Sequence, residues 1–323
     1  MIRVGLFLAA LIALPVFDVY LVFRFFARAN AEGPDGHPPP PTWLDSLWVK
    51  ILAGAATVLA ITCIFYGRFV EPGWVATEQV ALQTPKLPNG EKFRIVFLTD
   101  LHLEPGSRIT GTSTAASMLD ADVILLGGDY MNVDSHAMRK ALFDYAKGLN
   151  AREGVFAVGG NWDRGSTSWS TMLSRAGVTV LDGKTRTFRG GEGRRSGVIE
   201  LVGLSFAAPA PLKDLDPAVR DRRYTIVLHH SPDIVESVVE ARADLFLSGH
   251  THGGQVCLPL YGALVTLSRY GKKYESGLFR EGPDGATAVY VSRGLGQEGG
   301  WVPRVRFCCR PEVTVIDIVG TGE

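Results

Sequence analysis

Five apolar runs end in the same way, and that repetition constrains the fold more than any other feature of the chain. "RIVFLTDLH" ends on Asp100 and His102, "VILLGGD" on Asp129, and "VFAVGGNWD" on Asn161 and Asp163. "TIVLHHSPD" carries His229 and His230, and "LFLSGHTH" ends on His250 and His252. The runs are rich in Val, Ile, Leu and Phe without polar alternation, the pattern of strands covered on both faces. Helix-compatible segments such as "SHAMRKALFDYAKGL" and "PDIVESVVEARA" lie between them. The class is therefore α/β, and in open α/β sheets ligands bind beyond the carboxyl ends of the strands. Gly128, Gly160 and Gly249 each directly precede a donor residue, where backbone must turn sharply or approach closely.

One Asp after a strand ordinarily caps the next helix, and one His is ordinarily a hydrogen-bonded side chain. Seven nitrogen and oxygen donors at one edge need a different account. Gathering three carboxylate or amide groups and several imidazoles there without a cation would be electrostatically poor. Imidazole with carboxylate suits manganese, iron or zinc, and a shared carboxylate suits a pair of ions. Two divalent ions, Mn2+ foremost, are the expected cofactors. His250 and His252 are two apart on an extended chain and face one side, whereas His229 should face away from His230.

Asp100-x-His102, Gly128-Asp129, Gly160-Asn161-x-Asp163, His230 two before Pro232, and Gly249-His250-Thr251-His252 occur in that order. In this the chain resembles the calcineurin-like metallophosphoesterases. "GHTHGGQV", "GGDY" and "SRGLG" further resemble a membrane-attached bacterial branch that includes UDP-2,3-diacylglucosamine hydrolases. The resemblance implies a four-layer α/β/β/α sandwich over residues 93–323. It assigns Asp100, His102 and His252 to one ion and Asn161, His230 and His250 to the other, with Asp129 between them. Asp129, Asp100 and His252 are the expected catalytic residues. The implied chemistry is hydrolysis, with metal-activated hydroxide attacking phosphorus in line with the leaving group.

The chain departs from the family at Trp162, where a His usually follows the Asn. Indole cannot donate a proton as imidazolium does, which favours substrates whose leaving group departs as a stable anion. Trp162 is instead a candidate for stacking on substrate, and Arg293 of "SRGLG" for clamping its phosphate. Arg304 and Arg306, beside Trp301 and Val302, could rest against anionic headgroups. "RGGEGRRSG" (189–197) reads as a hairpin tip.

Ahead of this domain, residues 1–72 read as a membrane anchor. "VGLFLAALIALPVFDVYLVF" and "LWVKILAGAATVLAITCIFY" are each long enough to cross about 30 Å of hydrocarbon, so helices are expected over about 4–26 and 46–67. Between them "ANAEGPDGHPPPPTW" is an exposed connector that four successive prolines keep from being helical. Trp43, Trp48, Tyr66 and Trp74 sit near the span ends, as an aromatic belt would. Arg24 and Arg28 separate the apolar core from Ala29-Asn30-Ala31, which favours an anchor over a cleaved signal peptide. Residues 73–92 read as a linker. Arg3, Arg68 and Lys86 on one side balance Arg24, Arg28 and Lys50 on the other, so loop charge leaves sidedness open. The expected location is a bacterial inner membrane.

The 33 basic and 33 acidic residues balance, which gives no electrostatic case for nucleic acid. Cys63, Cys257, Cys308 and Cys309 show neither a disulfide framework nor zinc-type spacing. The expectation is thus a membrane-bound dimetal phosphohydrolase acting on a phosphorylated, lipid-linked small molecule, with no protein partner. UDP-2,3-diacylglucosamine is the leading substrate. An envelope phosphodiesterase or phosphatase is the first alternative and a non-catalytic metal-binding scaffold the second.

Overall fold

A computed structural model describes the chain except residues 1, 32–36, 38–39, 105–106, 190–196, 207–211, 213–221, 300–303 and 323. It divides into two units, Met1–Val70 and Glu71–Glu323.

The first unit holds two helices, α1 (Ile2–Ala29) and α2 (Leu47–Phe65), one on each apolar span. Ahead of α2, Asp45 lies 3.4 Å from both Arg24 and Arg28. Lys50 lies over the Phe25 ring. Val19, Phe23, Leu52, Val58, Leu59 and Phe65 all point outward. Among the described residues, one helical stretch, Leu47–Gly73, is long and apolar enough to cross a membrane.

In the second unit the strands and helices run β1 (Ala76–Pro88), β2 (Lys92–Leu98), α3 (Thr112–Ser117), β3 (Val123–Leu126), α4 (His136–Lys147), β4 (Val155–Ala157), α5 (Ser168–Arg175) and β5 (Thr179–Val180). There follow β6 (Lys184–Arg189), β7 (Val198–Gly203), β8 (Tyr224–Leu228), α6 (Val235–Glu240), β9 (Leu245–Ser248), β10 (Cys257–Leu258), β11 (Gly262–Ala263), β12 (Gly277–Glu281), β13 (Thr287–Val291) and β14 (Glu312–Gly322). One six-stranded sheet has the order β1-β14-β2-β3-β4-β5 and the other β12-β13-β9-β8-β7-β6. Both are mixed. β2, β3, β4 and β5 run parallel in the first, as do β13, β9, β8 and β7 in the second.

Alternate residues of each strand feed different apolar layers. Phe93, Ile95, Phe97, Val123 and Leu125 face Ile199, Leu201, Ile226, Leu245 and Leu247 between the sheets. Val96, Leu98, Ile124 and Leu126 pack outward on Met138, Leu142, Tyr145 and Leu173 of α4 and α5. On the other side Val202, Val227, Phe246 and Val289 pack on Val235 and Val238 of α6. Three apolar layers between four structural ones explain why the core strands lack polar alternation. β3, β8, β9 and β13 are buried along their whole length.

Residues 73–92 are not a linker. Most of the stretch is β1, which pairs in parallel with β14 from Ala76↔Glu312 to Thr84↔Gly320. Its alternation of half-buried and exposed positions suits an edge strand, and its many polar residues hid it. β6 and β7 pair antiparallel with Arg189 opposite Val198, so they form a hairpin as expected, but its tip at 190–196 lies outside the described residues.

Candidate metal centre

The donors come from two sheets rather than one. Asp100 and His102 follow β2, Asp129 follows β3 and Asn161 follows β4; His230 follows β8, and His250 and His252 follow β9. The parallel ladders continue past the strand ends as loop hydrogen bonds. The Asp100 N–H donates to Gly128 O, His102 N–H to Asp129 O, and Gly249 N–H to His230 O. Side chains crowd the same space. Asp100, His102, Asp129, His230 and His252 are buried, and Asn161 and His250 are partly so.

Two groups of three donors form. Asp100, His102 and His252 present ligand atoms within 4.8 Å of one another, as do Asp129, His230 and His250. Nε2 of His102 and Nε2 of His252 are 3.2 Å apart, and His252 Nε2 is 3.4 Å from Asp100 Oδ1. Asp129 Oδ2 stands between the groups, 3.6 Å from His102 Nε2 and 3.2 Å from His230 Nε2. Asn161 Oδ1 is 2.9 Å from His230 Nε2.

Neighbours aim these groups. His230 Nδ1 is 2.8 Å from Gly127 O, which accepts the Nδ1 proton and turns Nε2 toward the centre. His102 Nδ1 is likewise 2.8 Å from Asn132 Oδ1, and Asn132 donates back to His102 O. The His250 N–H donates to both Asp100 oxygens, and the Trp162 N–H to Asp129 Oδ1. The backbone is strained to achieve this. Asp100, His102, Asp129, His250 and His252 all have φ between 41° and 71°, a left-handed region that side-chain-bearing residues rarely adopt.

Nitrogen and oxygen donors of this kind fit hard or borderline divalent ions. Protonation tells the same story. Burial pushes His102 and His250 down to about 4 and His252 well below its ordinary value, so these imidazoles are neutral at pH 7. Burial, and then the Asp129 charge, raise the Asp100 carboxyl despite the nearby His230. Burial also opposes a charge on His230, but Asp129 and Asp100 outweigh it and lift the group to about 10. The protein on its own thus balances two buried carboxylates with a proton on His230, a place where a divalent cation serves better.

Other expected residues have different work. Asp163 accepts three backbone N–H bonds, from Asp129, Tyr130 and Gly160, and so clamps the β3 and β4 loops together. His229 Nδ1 is 2.8 Å from Ser231 O and its ring stacks on Phe206, which also meets His230 edge-on. Trp162 sits at the rim of the centre, its ring 5.6 Å from that of His102 and its Nε1–H donating to Glu298. Arg293 does not present the phosphate clamp expected of it. Its guanidinium is held by Glu78 at 2.6 Å, Glu312 at 2.9 Å and Arg310 O, and so ties the β13–β14 connection to β1.

Arg306 is a second correction. It is fully buried rather than turned to headgroups, and donates to Gly296 O, Arg293 O and Cys309 O. A guanidinium has enough donors to collect the carbonyls of a turning loop, and nearby ones outcompete solvent. Arg304 pairs with Glu104, while Trp301 and Val302 lie outside the described residues. Asn132, Gln255 and Glu298 were not anticipated. Asn132 directly follows "GGDYM", but nothing in an isolated Asn, Gln or Glu marks it as a neighbour of the centre.

Comparison with known proteins agrees with this geometry. Residues 93–254 match the calcineurin-like phosphoesterase family model. The metallophosphoesterase YkuE of Bacillus subtilis is 30% identical over 85% of this chain and 97% of its own length. Phosphodiesterase YaeI of Escherichia coli is 34% identical over 83% and 97%. The UDP-2,3-diacylglucosamine pyrophosphatase LpxG of Chlamydia trachomatis is 26% identical over 83% and 97%. The chain belongs to the calcineurin-like phosphoesterases, a family of metal-dependent phosphoester hydrolases.

Proposed function

We propose that the protein is a membrane-attached phosphohydrolase that uses two divalent ions, with Mn2+ the preferred metal, to cleave an amphiphilic phosphate ester or anhydride. The observation that carries this reading is the meeting of two three-donor groups across Asp129. Asp100, His102 and His252 would hold one ion, Asn161, His230 and His250 the other, and Asp129 both. Ions bound there would polarise a phosphoryl oxygen and lower the pKa of water in their coordination sphere. The protein's own part is positional. Asn132 and Gly127 fix the orientation of His102 and His230, the Trp162 N–H holds Asp129, and Trp162 with Phe206 keeps part of the rim apolar.

UDP-2,3-diacylglucosamine, hydrolysed to UMP and lipid X in lipid A synthesis, is the substrate we favour. The similarity to LpxG and the apolar stretch Leu47–Gly73 support it, since attachment concentrates enzyme and lipid at one surface. The second reading, phosphodiester hydrolysis in the envelope, is favoured by the similarity to YaeI. A two-helix anchor over residues 1–72 in a bacterial inner membrane accords with both readings.

The test is an assay of the detergent-purified chain on UDP-2,3-diacylglucosamine with Mn2+, with product identification. UMP release that chelator and Asp129→Asn both abolish is the expected result; equal rates in wild type and variant would end the catalytic reading. A reporter fused to the carboxyl terminus separates the substrates, because an outward-facing domain could not meet a UDP-lipid made in the cytoplasm.

A further inference from the structure

Hydrolysis of a phosphate ester leaves one demand that the metal ligands do not meet. An alkoxide is a poor leaving group, and it needs a proton as its bond to phosphorus breaks. Imidazoles and carboxylates that hold ions cannot supply it. Ionisable groups beside the centre include Asp163, His229, Arg306 and Glu298, and the first three are already engaged. Asp163 is occupied by three backbone N–H groups. His229 is buried against Ser231 and Phe206. Arg306 is a buried guanidinium whose proton is not available near neutral pH.

Glu298 differs from all three. One carboxyl oxygen, Oε1, accepts from the Trp162 indole at 3.3 Å, and Oε2 has no partner among the described residues. Trp162 is the residue whose backbone N–H holds Asp129 Oδ1, so the carboxyl hangs from the same residue that fixes the central carboxylate. The loop that carries it is pinned from two sides. Asn132, which orients His102, donates to Gln297 O. Gln255, three residues after His252, accepts from the Glu298 N–H at 2.7 Å and reaches back to Glu298 O. Gln255 takes a φ of 58° to do so. Backbone fixed by both ligand-bearing loops, with the carboxyl held by the Trp162 indole, is preorganised in the way a catalytic group requires.

We propose that Glu298 is the general acid that protonates the leaving oxygen of alkyl phosphate esters at this centre. The proposal rests on the phosphohydrolase reading above and extends it to phosphodiesters with alcohol leaving groups, for which Trp162 itself has no proton to give. In the step, a bond forms from phosphorus to the oxygen of water as the bond from phosphorus to the leaving oxygen breaks. The carboxyl proton passes to the leaving oxygen, the proton lost by water goes to solvent, and Glu298 is reprotonated from solvent. Burial raises the carboxyl above its ordinary range and the Asp129 charge adds to this, against the indole hydrogen bond and the charge of His230.

The test uses the full chain in detergent with Mn2+ and a series of thymidine 5′-phosphate diesters whose leaving groups run from p-nitrophenol to a simple alkyl alcohol. Glu298→Gln should slow the alkyl ester by ~10²–10⁴-fold, the usual worth of a general acid, and change the nitrophenyl ester little. Glu298→Asp, which keeps a carboxyl, should recover part of the alkyl activity. The nitrophenyl rate and metal content by elemental analysis report whether each variant is folded and loaded. Equal losses on both esters in a fully loaded Glu298→Gln variant would overturn the proposal, as would an undiminished alkyl rate or a wild type that cleaves only the nitrophenyl ester. Failure of the underlying reading looks different: wild type and Asp129→Asn would then be equally inactive on the nitrophenyl ester itself.

Discussion

Asn132 shows how much of the centre depends on residues that touch no ion. Its amide oxygen fixes the His102 ring and its amide nitrogen ties together His102 O and Gln297 O. Partners of this kind are worth ~10–100-fold in metal affinity or activity, so Asn132→Ala should lose that much, measured by competition with a chelating dye. An unchanged affinity would show that the ring is held by packing alone. Protonation makes a second residue-level prediction. In the metal-free protein His230 is pushed up to about 10, burial being outweighed by the Asp129 and Asp100 charges, and it carries a proton at pH 7 that a metal must displace. Loading should therefore release protons near neutral pH, and affinity should fall as pH falls. Calorimetry in two buffers of different ionisation enthalpy counts those protons, and a count of zero would contradict the account.

At the scale of elements, the strands supply position and the loops after them supply chemistry. β2, β3 and β4 in one sheet and β8 and β9 in the other end at a common rim, so short turns suffice to bring five loops together. The turns leave little room. A Cβ on Gly249 would collide with the Asp100 carboxylate and sit 2.5 Å from Thr99 Oγ1. Gly249→Ala should thus displace Asp100 and cost ~1–3 kcal/mol in overpacking, with reduced metal content in an otherwise folded protein. Full metal occupancy with unaltered thermal stability would show that the loop accommodates the methyl group. The same crowding explains why Asp163 is spent on three N–H groups. Two loops that both turn away from their strands leave those donors unpaired, and one carboxylate satisfies them.

For the whole molecule, the two units present different surfaces. The unit from Glu71 onward has a sheltered apolar core, whereas α1 and α2 turn Val19, Phe23, Leu52, Val58 and Phe65 outward. A surface that apolar is stable where lipid rather than water covers it. The full chain should stay with membranes through an alkaline carbonate wash and come away with detergent. Release by carbonate alone would leave only peripheral association.

The sequence by itself determined which donor-type residues follow the strands and in what order they occur, because apolar strands and the residues just past their ends are local patterns. It also revealed both apolar spans, since hydropathy needs no neighbours. Tertiary structure decided everything that depends on distance between remote segments. It divided the donors between two sheets, folded 76–88 as an edge strand, and engaged Arg293 with Glu78 and Glu312. It buried Arg306 among carbonyls and set Glu298 against Trp162, 136 positions away. A charged side chain answers to whichever partner lies within a few ångströms, and only the folded backbone establishes which partner that is.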